Sequence, residues 1–225
     1  MESHTQIAIF DLDGTLVDSV EQIAESLNKA RLDFGFPSQP LTFYQDLVGL
    51  PVSELLSDIE ISVEDFTDLV KHFRNYLVLD IQQGRNLVFA GVLDTLELFA
   101  SMRVGLAVAT SKPTKVAIEV VKHSPLREFD LYVQGTDDFP PKPDPEVILR
   151  VLRHFPPTPS FMVGDRMEDI YAARAAAIPS IGIASSAHSE ADLMGAGATL
   201  TFKTFEGFFQ RLKSDVALIP NLSRL

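Results

Sequence analysis

Short runs of mostly apolar residues recur along the chain, at 7–10, 104–109, 131–134, 160–163 and 180–183, each of strand length and bounded by polar or turn residues. Between them, residues 92–102, 115–122, 145–154 and 168–177 place their apolar side chains at helical spacing. Strands that alternate with helices pair in parallel, because a parallel crossover needs about a dozen residues. The pattern therefore predicts a doubly wound α/β fold with a Rossmann-like parallel sheet.

Residues 18–85 break that rhythm. Segments 21–34 and 53–77 carry apolar residues at helical spacing, and no convincing strand lies between them. Phe36-Pro37, Pro40 and Gly49-Leu50-Pro51 punctuate the stretch as loops, and 82–86 reads as the way back to the sheet. The expected organisation is an α/β core from 1–17 and 86–225 with a helical insertion, 18–85, after the first strand.

Composition narrows the classes. With 46% hydrophobic residues, the 225-residue chain can bury a sizeable core. The absence of cysteine excludes disulfides, thiolate zinc sites and a cysteine nucleophile, and a cytoplasmic location is the expectation. No stretch is apolar for long enough to span a bilayer, so no membrane partner is expected. The net charge of −12 disfavours nucleic acid, whose phosphates would be repelled. The deficit is uneven, since 18–85 holds 12 acids against 5 bases, and 33–70 contains no Lys, Arg or His. That acidic stretch reads as a solvated helical surface. Nothing in the sequence specifies an oligomeric state.

In an open parallel sheet, ligands bind beyond the carboxyl ends of the strands. The first strand is followed by Asp11, Asp13, Gly14 and Thr15, the second by Thr110, Ser111 and Lys112, the third by Lys142 in a Pro-rich loop, and the fourth by Gly164, Asp165 and Asp169. Crowded carboxylates repel one another unless a cation joins them, and an all-oxygen donor set favours Mg²⁺. Lys142 adds positive charge, Thr110 a hydroxyl, and the turns add backbone N–H groups, a combination suited to cradling phosphate. An aspartate can attack phosphorus and form an aspartyl-phosphate, and Asp11, first out of the strand, is placed for that. Asp13, two residues on, can protonate the leaving oxygen and later take a proton from water.

Taken in order, DLDGT (11–15), ATSK (109–112), the lysine of PKPDP and GDRMED (164–169) resemble the four motifs of the haloacid dehalogenase-like superfamily of phosphatases, and they span most of the chain. The resemblance implies Asp11 as nucleophile and metal ligand, Asp13 as acid/base with its backbone carbonyl on the metal, Asp165 as a ligand, and Asp169 as support for the metal shell or for Lys142. It assigns catalysis to Asp11, Asp13, Thr110 and Lys142, and phosphate binding to Gly14, Thr15, Thr110, Ser111 and Lys142. The insertion resembles the superfamily's helical C1-type cap, and DSVEQIAESLNKARLDFGFP followed by DLVGLP is most similar to the phosphoglycolate phosphatase branch. Ala177 departs from the pattern, since relatives commonly have Gly just past that helix.

The implied activity is Mg²⁺-dependent hydrolysis of a small phosphate monoester, phosphoglycolate-like, through an aspartyl-phosphate. A sugar phosphomutase of the same superfamily and a non-enzymatic phospho-aspartate signalling or binding module are the alternatives. A dehalogenase would lack the second aspartate, and a phosphonatase would need a cap lysine that 33–70 does not supply. Other residues read as structural. Asp169 also suits a helix start by dipole alone, Lys112 reads as a solvated helix start, and Phe34, Phe66 and Phe73 read as helix packing. The five histidines stand at no metal-ligand spacing. If the substrate carries a second anion, Lys71, Arg74 and Arg85 are the candidates to meet it.

Overall fold

The structure, a computed structural model, describes residues 4–85, 87–215 and 218. The predicted linker residue Asn86 and the two ends of the expected core segments lie outside the described residues. In chain order the elements are β1 (Gln6–Phe10), β2 (Val17–Asp18), α1 (Val20–Asp33), α2 (Leu41–Tyr44), α3 (Val52–Leu55), α4 (Val63–Gln82), β3 (Leu87–Val88) and α5 (Val92–Ser101). They continue with β4 (Val104–Ala109), α6 (Thr114–Lys122), a 3₁₀ turn (Pro125–Glu128), β5 (Leu131–Gln134), α7 (Glu146–His154), β6 (Ser160–Gly164), α8 (Met167–Ala175), β7 (Ser180–Ile183), α9 (Glu190–Ala196), β8 (Leu200–Phe202) and α10 (Phe205–Ser214).

Six strands form one parallel sheet in the order β5-β4-β1-β6-β7-β8. β1 is central, paired in register with β4 through Phe10 opposite Val108 and with β6 through Phe10 opposite Val163. All five of its residues are buried, as a strand covered on both faces requires. Alternation divides them between two cores. Ala8 and Phe10 pack with Phe99, Phe205 and Phe208 from α5 and α10, whereas Ile7 and Ile9 pack with Val147, Ile148 and Val151 from α7. The sheet is thereby sandwiched between helical layers, as predicted, and β8 with α9 and α10 extends it beyond the last strand expected.

The helical stretch leaves and re-enters the sheet region through a small ribbon, β2 paired antiparallel with β3. Neither two-residue strand shows in the hydrophobic pattern, because each is too short to alternate. α1 buries Ile23, Ala24, Leu27 and Ala30 along one stripe against α4, which offers Leu69, Val70, Phe73 and Leu77.

The continuous helix expected at 53–77 is instead broken. α3 stops at Leu55, and α4 begins only at Val63, where Ser62 caps it by accepting the Asp65 N–H at 3.1 Å. Between them Asp58 turns inward onto Arg31, whose guanidinium donates to both carboxylate oxygens at 2.8 and 2.7 Å and to Pro37 O at 2.8 Å. The apolar residues that suggested one helix, Ile59 and Ile61 among them, pack from this loop. The acidic stretch is thus anchored by a buried arginine that precedes it in sequence.

Candidate active site

The carboxyl ends of β1, β4 and β6 lie side by side and bring the motif residues together. Asp11 continues β1 by one residue, its N–H donating to Val163 O at 2.9 Å, so its position is set by the sheet. Gly14 then turns the chain with φ +84°, and a Cβ there would meet Asp165 Oδ2 at 2.6 Å. Only glycine satisfies both conditions, and the tight turn brings β1's loop against β6's. Gly164 is equally constrained, since a Cβ there would run into the Asp169 carboxylate.

Lys142 is buried at the centre. Its Nζ lies 2.8 Å from Asp11 Oδ1, 2.5 Å from Asp169 Oδ1, and 3.1 Å from Ala109 O, to which it donates. Burial opposes the ammonium charge, and the facing carboxylates of Asp11 and Asp169 outweigh it, so the lysine is held charged. Asp169 also accepts the Arg166 N–H through Oδ2 at 3.0 Å, which ties the start of α8 to the site. Thr110 is buried at the end of β4 and accepts the Lys112 N–H at 3.2 Å, while Ser111 is half-buried beside it.

Asp11, Asp165 and Asp169 each place a carboxylate oxygen within 4.8 Å of the others, and all three are buried. Burial pushes Asp165 up to about 8, with Asp169 and Asp11 adding repulsion. It likewise lifts Asp11 to about 6 against the pull of Lys142. Carboxylates held this high mark an excess of buried negative charge that one lysine does not offset. Hard oxygen donors at close quarters fit a divalent cation.

Two side chains sit otherwise than the sequence suggests, and a third shows which of its groups meets what. Lys112 is not a solvated helix start: its side chain is only 8% exposed, and its Nζ lies 3.1 Å from Asp13 Oδ2. The ion pair with Asp13 draws the side chain inward, away from the water that a helix start would ordinarily meet. The Thr15 hydroxyl donates to Asp165 Oδ1 at 2.7 Å, so it is engaged by a carboxylate and not open to a phosphate. The Asp13 carboxylate is not one of the three clustered acids; it accepts the Ser19 hydroxyl at 2.6 Å and meets Lys112.

Two functional contacts have no counterpart in the motif analysis. Ser19 orients Asp13, and its only sequence signal is its place six residues on, at the start of α1. Arg166, inside the fourth motif, is buried and donates through Nη1 to Asp46 O at 3.0 Å and Val48 O at 3.1 Å. A Cβ on Gly49, whose φ is +96°, would meet Arg166 Cδ at 2.7 Å, so the loop before α3 is shaped around this arginine. With Ser186 Oγ donating to Gln45 O at 3.3 Å, these bonds hold the helical insertion against the sheet edge.

Two cavities flank the cluster. One, of about 570 Å³, is lined by Gly14, Thr15, Asp165 and Arg166 together with residues of the β7 and β8 loops. The other, of about 200 Å³, opens between Asp13, Thr110 and Lys112 on the sheet and Leu50, Phe73 and Arg74 on the insertion.

The architecture and its clustered acids coincide with a described family, whose model matches residues 8–183. The chain belongs to the haloacid dehalogenase-like hydrolases. Within that family it is similar to a phosphoglycolate phosphatase of Agrobacterium fabrum, 32% identical over 189 residues that cover 79% of each chain. It is also similar to a phosphoglycolate phosphatase of Pseudomonas putida, 30% identical over 187 residues, 79% of this chain and 69% of the relative. A haloacid dehalogenase-like hydrolase of Streptococcus pneumoniae shares the fold with a TM-score of 0.79 at 24% identity, over 94% of this chain and all of that one. Among the described residues, no helix is long and apolar enough to cross a membrane.

Proposed function

We propose that the protein is a Mg²⁺-dependent phosphatase of small phosphate monoesters, phosphoglycolate-like, working through an aspartyl-phosphate on Asp11. The observation that carries this is the buried cluster at the ends of β1, β4 and β6, where Asp11 and Asp169 share Lys142 and stand within reach of Asp165. Nothing in packing requires three buried carboxylates there. The names of the two phosphoglycolate phosphatase relatives support the substrate class.

Asp11, Asp165 and Asp169 would hold Mg²⁺ with the Asp13 backbone carbonyl, and a bound Mg²⁺ supplies charge neutralisation for the phosphoryl oxygens. The Asp11 carboxylate attacks phosphorus and the ester P–O bond breaks. Asp13, as the acid, gives its proton to the departing oxygen. Asp13, now a carboxylate, takes a proton from water as that water's oxygen attacks the aspartyl-phosphate. Inorganic phosphate leaves and Asp11 is restored. Lys142 and the Thr110 hydroxyl, with Ser111 and the N–H groups of the Gly14 turn, would hold the phosphoryl oxygens. Lys112 and Ser19 orient the Asp13 side chain once it is a carboxylate. The helices within 18–85 act as a cap over a core formed by 1–17 and 86–225, excluding water while the covalent species exists.

Phosphate release from a panel of small esters tests this, with Mg²⁺ and with chelator, using Asp11→Asn as the control. Mg²⁺-dependent release that the substitution abolishes is the expected result. Release that persists in Asp11→Asn, or no release from any ester, would overturn the mechanism.

A further inference from the structure

Given a cleft that takes phosphate esters, as proposed above, we infer that Arg74 reads a second anionic group on the substrate, held only a few atoms from the phosphoryl group. Of the three cations that the sequence offered for this role, the fold removes two. Lys71 is 65% exposed and pairs with Asp68 on its own helix at 2.7 Å. Arg85 pairs with Asp80 and with Glu25. Arg74 instead lines the 200 Å³ cavity, together with Asp13, Thr110, Ser111 and Lys112 from the proposed catalytic machinery.

The insertion's side of this cavity is otherwise apolar, formed by Ile23, Leu50, Val52, Phe73 and Leu77. Arg74 is exposed at the mouth of this cavity and, among the described residues, pairs with no acid, although the segment 18–85 around it is strongly acidic. The second cation at the cavity, Lys112, is already paired with Asp13. A guanidinium without a counter-ion, at the rim of an apolar wall, matches a carboxylate or phosphate in its planar, two-pronged geometry. The cavity also limits reach. Its volume of about 200 Å³ is small beside the 570 Å³ of the neighbouring cavity. With the phosphoryl group at Asp11, which does not line this cavity, only the short acid arm of a two- or three-carbon phosphate has to enter it.

The test compares 2-phosphoglycolate with ethyl phosphate, which has two carbons and no carboxylate. In the wild-type protein kcat/KM favours 2-phosphoglycolate. In Arg74→Ala the ratio of the two kcat/KM values falls at least about tenfold, chiefly through KM, as expected for losing a charged hydrogen bond. Arg74→Lys restores part of it, and Lys71→Ala leaves the ratio as it was. An unchanged ratio in Arg74→Ala, or an equal fall in Lys71→Ala, would overturn the role of Arg74.

Calorimetric titration of both esters into the Asp11→Asn protein, with and without Arg74→Ala, separates this outcome from a failure of the phosphatase mechanism. Tighter binding of 2-phosphoglycolate that depends on Arg74 supports the inference even where no ester is hydrolysed. Equal binding of the two esters, or a preference that survives Arg74→Ala, overturns it even where hydrolysis proceeds.

Discussion

At Asp165, burial beside Asp169 and Asp11 raises a carboxyl group from 3.8 to about 8, and Asp11 is lifted in the same direction, to about 6. The folded state then binds a proton that the unfolded state has released between about pH 4 and 8, so stability falls as pH rises through that window. Thermal unfolding in chelator should therefore show a midpoint that declines from pH 5 to pH 8. Excess Mg²⁺ should flatten that slope, because the cation replaces the proton. Asp13→Asn should lower kcat by about 10²–10⁴ while leaving Mg²⁺ binding measurable by calorimetry, as loss of a general acid/base predicts.

At the scale of single elements, α8 ends under strain that the sequence already hinted at. Ala177 adopts φ +57°, a left-handed conformation that costs an L-residue roughly 1–2 kcal/mol. Its side chain is exposed, so Ala177→Gly sacrifices little packing. Against the 0.4–1 kcal/mol by which glycine loosens the unfolded chain, the substitution should stabilise by about 0.5–1 kcal/mol in urea titration. The insertion has its own critical contact. Arg31 is fully buried and bonded to both oxygens of Asp58, and Arg31→Ala should cost about 3 kcal/mol by leaving that carboxylate and the 56–62 loop without their anchor. Elements with clear periodicity, β1, β4, β6 and α1, were legible in the chain. The break between α3 and α4 was not, because Arg31 and Ser62 decide it through hydrogen bonds that hydrophobic spacing does not encode.

For the whole molecule, the interface between insertion and sheet edge is where structure and activity should be coupled. Arg166 crosses it to the carbonyls of Asp46 and Val48, and Ser186 adds a bond to Gln45. Arg166→Ala should speed amide hydrogen exchange across 45–50 by about tenfold or more and raise KM. Unchanged exchange in that loop would show that apolar contacts alone hold the insertion in place. The acids of the site were legible because each follows an apolar strand, and a parallel sheet collects such positions at one edge. The partners of those acids were not. Lys112 reads as a surface residue until the fold pairs it with Asp13, and Arg166 meets a loop 118 residues away.

The sequence by itself determined the parallel α/β architecture and the acids and lysine that end its strands. These follow from local pattern and composition, which need no third dimension. Only the tertiary structure decided which cations remain available. Lys71 and Arg85 are engaged by neighbouring acids, Lys112 is drawn onto Asp13, and Arg74 is left facing a small cavity. The physical reason is that an ion pair depends on where two side chains end in space, whereas periodicity reports only which face of its own element each side chain leaves.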